Sequence, residues 1–182
     1  MEGLAQALYD VGIATARYQF PYMERGSKRP DPPHVCHATV RAAVSEAARI
    51  TPDLPLIAGG RSFGGRMTSQ TQAAAPLPGV IGLVFFGFPL HPAGKPSAER
   101  AAHLTCVRIP MLFLQGDRDE LAQPAQLHPV IAAQDGRATL RAIPGADHSF
   151  RLPARAKRAS ADVNAELAQL VLAWLMPLIQ RS

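Results

Sequence analysis

The feature that most constrains this chain is the run VIGLVFFGF at residues 80–88. It is almost wholly apolar, is short, and lacks the length of a core helix. Such a run reads as a strand buried on both faces, which is the signature of a parallel sheet covered by helices. A parallel sheet needs long crossover connections, so helices must alternate with strands. The rest of the sequence follows that requirement. Leu4, Leu8 and Val11 mark a helix over residues 2–11, with Gly12 as its stop. Residues 13–20 read as a strand ended by Pro21, and 22–33 as a loop rich in Pro, Gly and charge. Asp31, Pro32 and Pro33 open a second helix that runs to about residue 49. Short strands are expected at 54–58, 111–115 and 139–143, and helices at 63–73, 121–133 and 161–175. Residues 89–108 form a long connection. The expected fold is α/β: a mostly parallel sheet with helices on both faces, in a single domain over residues 1–182.

Composition excludes several classes of function. The chain has 182 residues, 47% hydrophobic and 18% charged, so it can bury a core and is not a disordered segment. No basic leader precedes an apolar stretch at the start, and the run 170–179 is short for a membrane span and contains Pro177. The expectation is a cytoplasmic protein that binds no membrane. The net charge is +5, but the basic residues are scattered apart from Arg151, Arg155, Lys157 and Arg158. No aromatic residues interleave with that cluster, so nucleic acid is not an expected partner. Cys36 and Cys106 do not make a disulfide framework, and both are read as small core residues.

The chemistry centres on Gly60-Arg61-Ser62-Phe63-Gly64, a G-x-S-x-G between a short apolar strand and a helix. That setting is the one a nucleophile elbow requires, because only glycines fit where strand and helix approach so closely. The turn pushes the Ser62 hydroxyl out from the end of the sheet, and the amide of Phe63 then faces any oxyanion. A serine hydroxyl needs a base. His148 is the best placed, in the loop after the last strand. His34 and His37 are too closely packed with Cys36 to share a metal ion, so no metal is expected. His91 and His103 are read as surface or pocket-rim residues and His128 as exposed. The base needs an orienting acid. Asp117, Asp119 and Glu120 all follow the strand 111–115, and Asp119 is the preferred one. Asp147 is read as solvated or as a local turn former. Arg61, Phe88, Pro89 and Leu90 are candidates for substrate contacts.

Four segments together resemble a known family: GGRSFGGRM at 59–67, FFGFPLHPAGKP at 85–96, LFLQGDRDEL at 112–121 and IPGADHSF at 143–150. They are similar to the small α/β-hydrolases related to dienelactone hydrolase. Within these they look most like the branch containing an animal testis-expressed hydrolase-like protein and a chromatin acetyltransferase-complex subunit. The resemblance implies a nucleophile at Ser62, an acid at Asp119 and a histidine at His148, working on a small ester without a cofactor. Dienelactone hydrolase itself uses cysteine at the position of Ser62. The chromatin relative implies a rival role, a non-catalytic scaffold on the same fold. The family pattern also begins with strands and a His-Gly-Ala-Gly type loop that supplies a second oxyanion donor. Met1 falls inside the helix that follows this loop, so the chain reads as N-terminally truncated relative to the family. On this reading the strands 13–20 and 54–58 pair directly, or the natural protein is longer and Met1 is an internal methionine of it; a truncated fragment without function is a further reading. The longer protein is the favoured alternative.

Overall fold

The computed structural model describes residues 1–154, 156 and 159–180. Three members of the basic cluster, Arg155, Lys157 and Arg158, lie outside the described residues.

Four strands form one parallel sheet in the order β1 (Leu56–Arg61), β2 (Val80–Phe86), β3 (Met111–Gly116) and β4 (Ala138–Ile143). The apolar runs of β2 and of Met111–Leu114 in β3 place these strands in the middle, where both faces are covered. Alternate side chains serve opposite faces, as the two-residue period of a strand demands. Leu83, Phe85, Met111 and Phe113 enter one core with Cys36, Val40, Met67 and Leu127. Val84, Phe86, Leu112 and Leu114 enter the other with Leu4, Leu8, Val163 and Val171. The first core lies under α3 (Pro33–Ile50), α4 (Phe63–Ala74) and α5 (Pro124–Ala132). The second lies under α1 (Glu2–Asp10) and α6 (Ser160–Ile179). Helices on both faces of a parallel sheet are therefore what the alternating apolar runs produce.

The sequence expectation departs from the structure at four places. Residues 13–20 form no strand, and 14–19 are exposed. Their apolar alternation reads as a strand, but a strand exists only against a partner, and 13–20 does not pair with β1. The sheet therefore ends at β1, whose residues are all half-buried. The loop at 22–33 contains a one-turn helix α2 (Pro21–Glu24). The connection 89–108 holds a 3₁₀ helix, Glu99–Cys106, which buries Leu104 against the first core and leaves Cys106 exposed. Cys106 is thus not a core residue, because it sits at the solvent end of that helix. Finally, α6 is continuous over 20 residues, with Pro177 in its last turn. Its segment Ala161–Ile179 has the length and apolar composition of a membrane span. Val163, Leu167, Ala168, Val171 and Leu175 on it are buried, packing against α1 and the sheet.

Candidate active site

All four strands point their carboxyl ends to the same edge of the sheet, and that edge is where the chemistry-bearing residues gather. Ligand sites of open α/β sheets fall at this edge because the connecting loops there can project side chains over it.

Ser62 follows β1 directly and caps α4. Its backbone has φ 51 and ψ −115, an uncommon conformation for a residue with a side chain, and a strained one. The turn is held by the Ser62 amide donating to Phe86 O (3.2 Å) and the Arg66 amide donating to Ser62 O (3.1 Å). Gly65 explains how the strand and helix approach so closely. A Cβ there would stand 2.7 Å from Gly60 O and 3.1 Å from the Phe85 ring. No larger residue fits without opening the elbow.

His148 reaches this serine from the loop after β4. Its Nε2 lies 2.8 Å from Ser62 Oγ and its Nδ1 lies 2.6 Å from Asp119 Oδ2. The loop has its own scaffold. Asp147 Oδ1 accepts from the amides of Ser149 (2.7 Å) and Arg151 (2.9 Å), so Asp147 is the local turn former expected of it. Gly87, just after β2, sits beneath the imidazole with φ +73. A Cβ on it would be 3.0 Å from His148 O and 3.4 Å from the ring. Gly87 thereby makes room for the histidine, a role invisible in sequence.

Asp119 is the buried carboxylate of the three candidates, at 2% exposure, whereas Asp117 and Glu120 are exposed. Asp117 instead accepts from the Gly145 amide at 2.8 Å and ties the two loops together. Asp119 accepts from His148 Nδ1 and from Gln115 Nε2 on Oδ2, and from the Leu121 amide (2.8 Å) on Oδ1. Gln115 was not anticipated. It is buried at the end of β3, and its Oε1 accepts from the Phe88 amide at 2.9 Å. It clamps the carboxylate to the loop after β2. A buried carboxylate needs such donors, since an unpaired charge in the interior is costly.

The remaining candidates are distributed differently. Phe88, Pro89 and Leu90 are all buried, and Phe88 and Leu90 have no exposed surface. Phe88 packs on Phe85 and Phe113. Phe88 and Leu90 belong to the first core. Arg61 lines a cavity of about 240 Å³ with Phe86, Ser149, Phe150 and Arg151, beside the histidine loop. His91 is not a surface residue: it is buried, with Nε2 2.8 Å from Gln126 Oε1 and Nδ1 2.9 Å from Pro92 O. His103 is half-buried, with Nε2 2.7 Å from Ser69 Oγ. Burial and the nearby Arg66 charge push its pKa down to about 4. Among the described residues no three His, Cys, Asp or Glu side chains group as metal ligands.

A Ser–His–Asp constellation at the carboxyl edge of a parallel sheet defines the α/β-hydrolase class. The chain belongs to the alpha/beta hydrolase domain family, whose model matches residues 1–176. Its fold is similar to that of an alpha-beta serine hydrolase homologue from Coxiella burnetii, with TM-score 0.72 and 22% identity over 96% of this chain and 74% of that one. It is also similar to an a/b serine hydrolase without lid from Xanthomonas campestris, with TM-score 0.70 and 25% identity over 95% and 72%. A monoacylglycerol lipase from Paleococcus ferrophilus matches with TM-score 0.68 and 14% identity over 96% and 88%.

Proposed function

We propose that this protein is a serine hydrolase of carboxylic esters, acting on a small molecule through Ser62, His148 and Asp119. The reading rests on one observation: a single imidazole lies 2.8 Å from the Ser62 hydroxyl and 2.6 Å from a buried carboxylate. Asp119 selects the tautomer in which Nδ1 carries the proton, leaving Nε2 free to accept. As Ser62 Oγ bonds to the ester carbonyl carbon, its proton passes to His148 Nε2. The imidazolium that forms is stabilised by Asp119. The carbonyl oxygen becomes an oxyanion, which the amide of Phe63 at the start of α4 stabilises together with the positive end of that helix. His148 then returns the proton to the departing alkoxide, and an acyl-Ser62 intermediate remains. Water repeats the sequence, giving the free acid and regenerating the hydroxyl.

A serine at the elbow suits oxygen esters. The four motifs support a place beside the dienelactone-hydrolase-related proteins, with serine where dienelactone hydrolase itself has cysteine. The test is hydrolysis of a series of 4-nitrophenyl acyl esters by the purified chain. Wild type should release 4-nitrophenol at a rate that Ser62→Ala and His148→Ala each abolish. Equal rates in wild type and Ser62→Ala would overturn the reading.

A further inference from the structure

Arg66 stands out as a cation without an anion. Its side chain is half-buried, and its Nε is buried without a hydrogen-bond partner. It forms no ion pair among the described residues. Its guanidinium lies over the ring of Phe63, 5.4 Å from the centroid. Burial and Arg100 oppose its charge, and the one group that favours it is the Cys36 thiol, whose own pKa burial pushes up so that it offers no thiolate at neutral pH. Arg100 of the 3₁₀ helix is near enough, together with burial, to hold the Arg66 pKa below its ordinary value. Arg100 likewise makes no ion pair among the described residues. His103 and His37 flank the group, and both Arg66 and His37 disfavour a proton on His103. Two elements thus bring arginines together, α4 with Arg66 and the 3₁₀ helix with Arg100, and the imidazole of His103 beside them is neutral.

Beyond the contact with the Phe63 ring, nothing among the described residues offsets the burial of this charge. Desolvating a guanidinium without a partner is unfavourable, and a second arginine beside it adds repulsion. Clusters of like charge held against their own repulsion mark sites where an opposite charge arrives from outside. The position says what would bring it. Side chains on a helix tilt toward its N-terminus, and Arg66 lies back over Phe63, the residue after Ser62. The Arg66 amide donates to Ser62 O (3.1 Å), so Arg66 stands one helical turn after the nucleophile, on the face of α4 that Ser62 begins. A planar guanidinium is also the group that pairs best with carboxylate or phosphate oxygens.

We propose that Arg66, assisted by Arg100, forms an anion subsite beside Ser62 that selects ester substrates carrying a carboxylate or phosphate group. The proposal rests on the ester-hydrolase reading for its location and not for its existence, so two measurements separate the two. The first compares kcat/KM for 4-nitrophenyl hemisuccinate and 4-nitrophenyl butyrate, which differ chiefly in the terminal carboxylate. The ratio of anionic to neutral ester should fall at least tenfold in Arg66→Gln and at least threefold in Arg100→Gln. It should be largely kept in Arg66→Lys, and unchanged in Arg141→Gln, which removes an exposed cation on β4. An equal loss for both esters, or an unchanged ratio in Arg66→Gln, would overturn the proposal. The second measurement needs no catalysis: succinate and inorganic phosphate are titrated against thermal unfolding of the full chain. One of them should raise the Tm of wild type and not that of Arg66→Gln, and whichever does identifies the preferred anion. If neither anion shifts wild type, the subsite is refuted even where Ser62 proves reactive. If an Arg66-dependent shift occurs while Ser62→Ala hydrolyses esters like wild type, the subsite stands and the hydrolase reading falls.

Discussion

Gln115→Met tests the polar clamp behind the site. Methionine nearly matches glutamine in size but can neither donate to Asp119 Oδ2 nor accept from the Phe88 amide. Both bonds are buried, so both losses are felt in full. A hydrogen bond to a charged group contributes about 1.5–3 kcal/mol, and a buried amide left unpaired costs about 1–3 kcal/mol. The added apolar surface of methionine returns up to about 1 kcal/mol. The expected loss is therefore about 2–5 kcal/mol, a large part of the roughly 5–15 kcal/mol of a typical domain. The variant should still fold, and urea denaturation at 25 °C measures the difference. Activity should fall as well, by about tenfold in kcat for a 1.4 kcal/mol loss of carboxylate positioning, with KM little changed. Asp119 keeps its bond to the Leu121 amide in this variant, so the effect should stay well short of losing the carboxylate itself. A stability loss below about 1 kcal/mol with unaltered kcat would refute the clamp.

Two further perturbations probe other parts of the account. Gly87→Ala puts a methyl group against His148 at a positive φ, which should cost about 1–2 kcal/mol in stability. It should lower kcat/KM by more than that, because the ring is displaced from Ser62; full activity in a folded variant would contradict the packing described. His103 carries a pH signature. Its folded pKa of about 4 lies below its ordinary 6.5, so between these values the unfolded chain holds the proton and the folded chain does not. Stability from neutral His103 is present above pH 6.5 and lost as pH falls toward 4. After allowance for partial exposure the loss is about 1–2 kcal/mol. His103→Gln should shed less stability than wild type between pH 7 and pH 4.5 in urea titrations, and identical losses would show that His103 does not titrate in this window.

What the sequence discloses and what it hides divide along physical lines. Ser62 is legible because a close strand–helix approach forces glycines at fixed spacing around it. The central strands are legible because a fully covered strand must be apolar throughout. Asp119 could only be preferred over Asp117 and Glu120, since burial of one carboxylate is a tertiary fact. Gln115 and Gly87 carry no local signal: their importance comes from contacts with Asp119 and His148, which fold onto them from elsewhere. His91 misleads for the same reason, as its partner Gln126 lies 35 residues away. Residues 13–20 show the converse error. Their alternation is a real strand signal, yet pairing decides whether a strand forms, and no pairing with β1 exists.

The central claim is that Ser62 is an activated nucleophile, and one measurement reaches it without knowledge of the natural substrate. The folded chain is treated with a fluorophosphonate and the modified peptide is located by mass spectrometry. A single adduct on Ser62 is expected, lost in Ser62→Ala, strongly slowed in His148→Ala and absent when the chain is unfolded in urea. A folded chain that stays unlabelled at Ser62, or that labels equally well when unfolded, would contradict it.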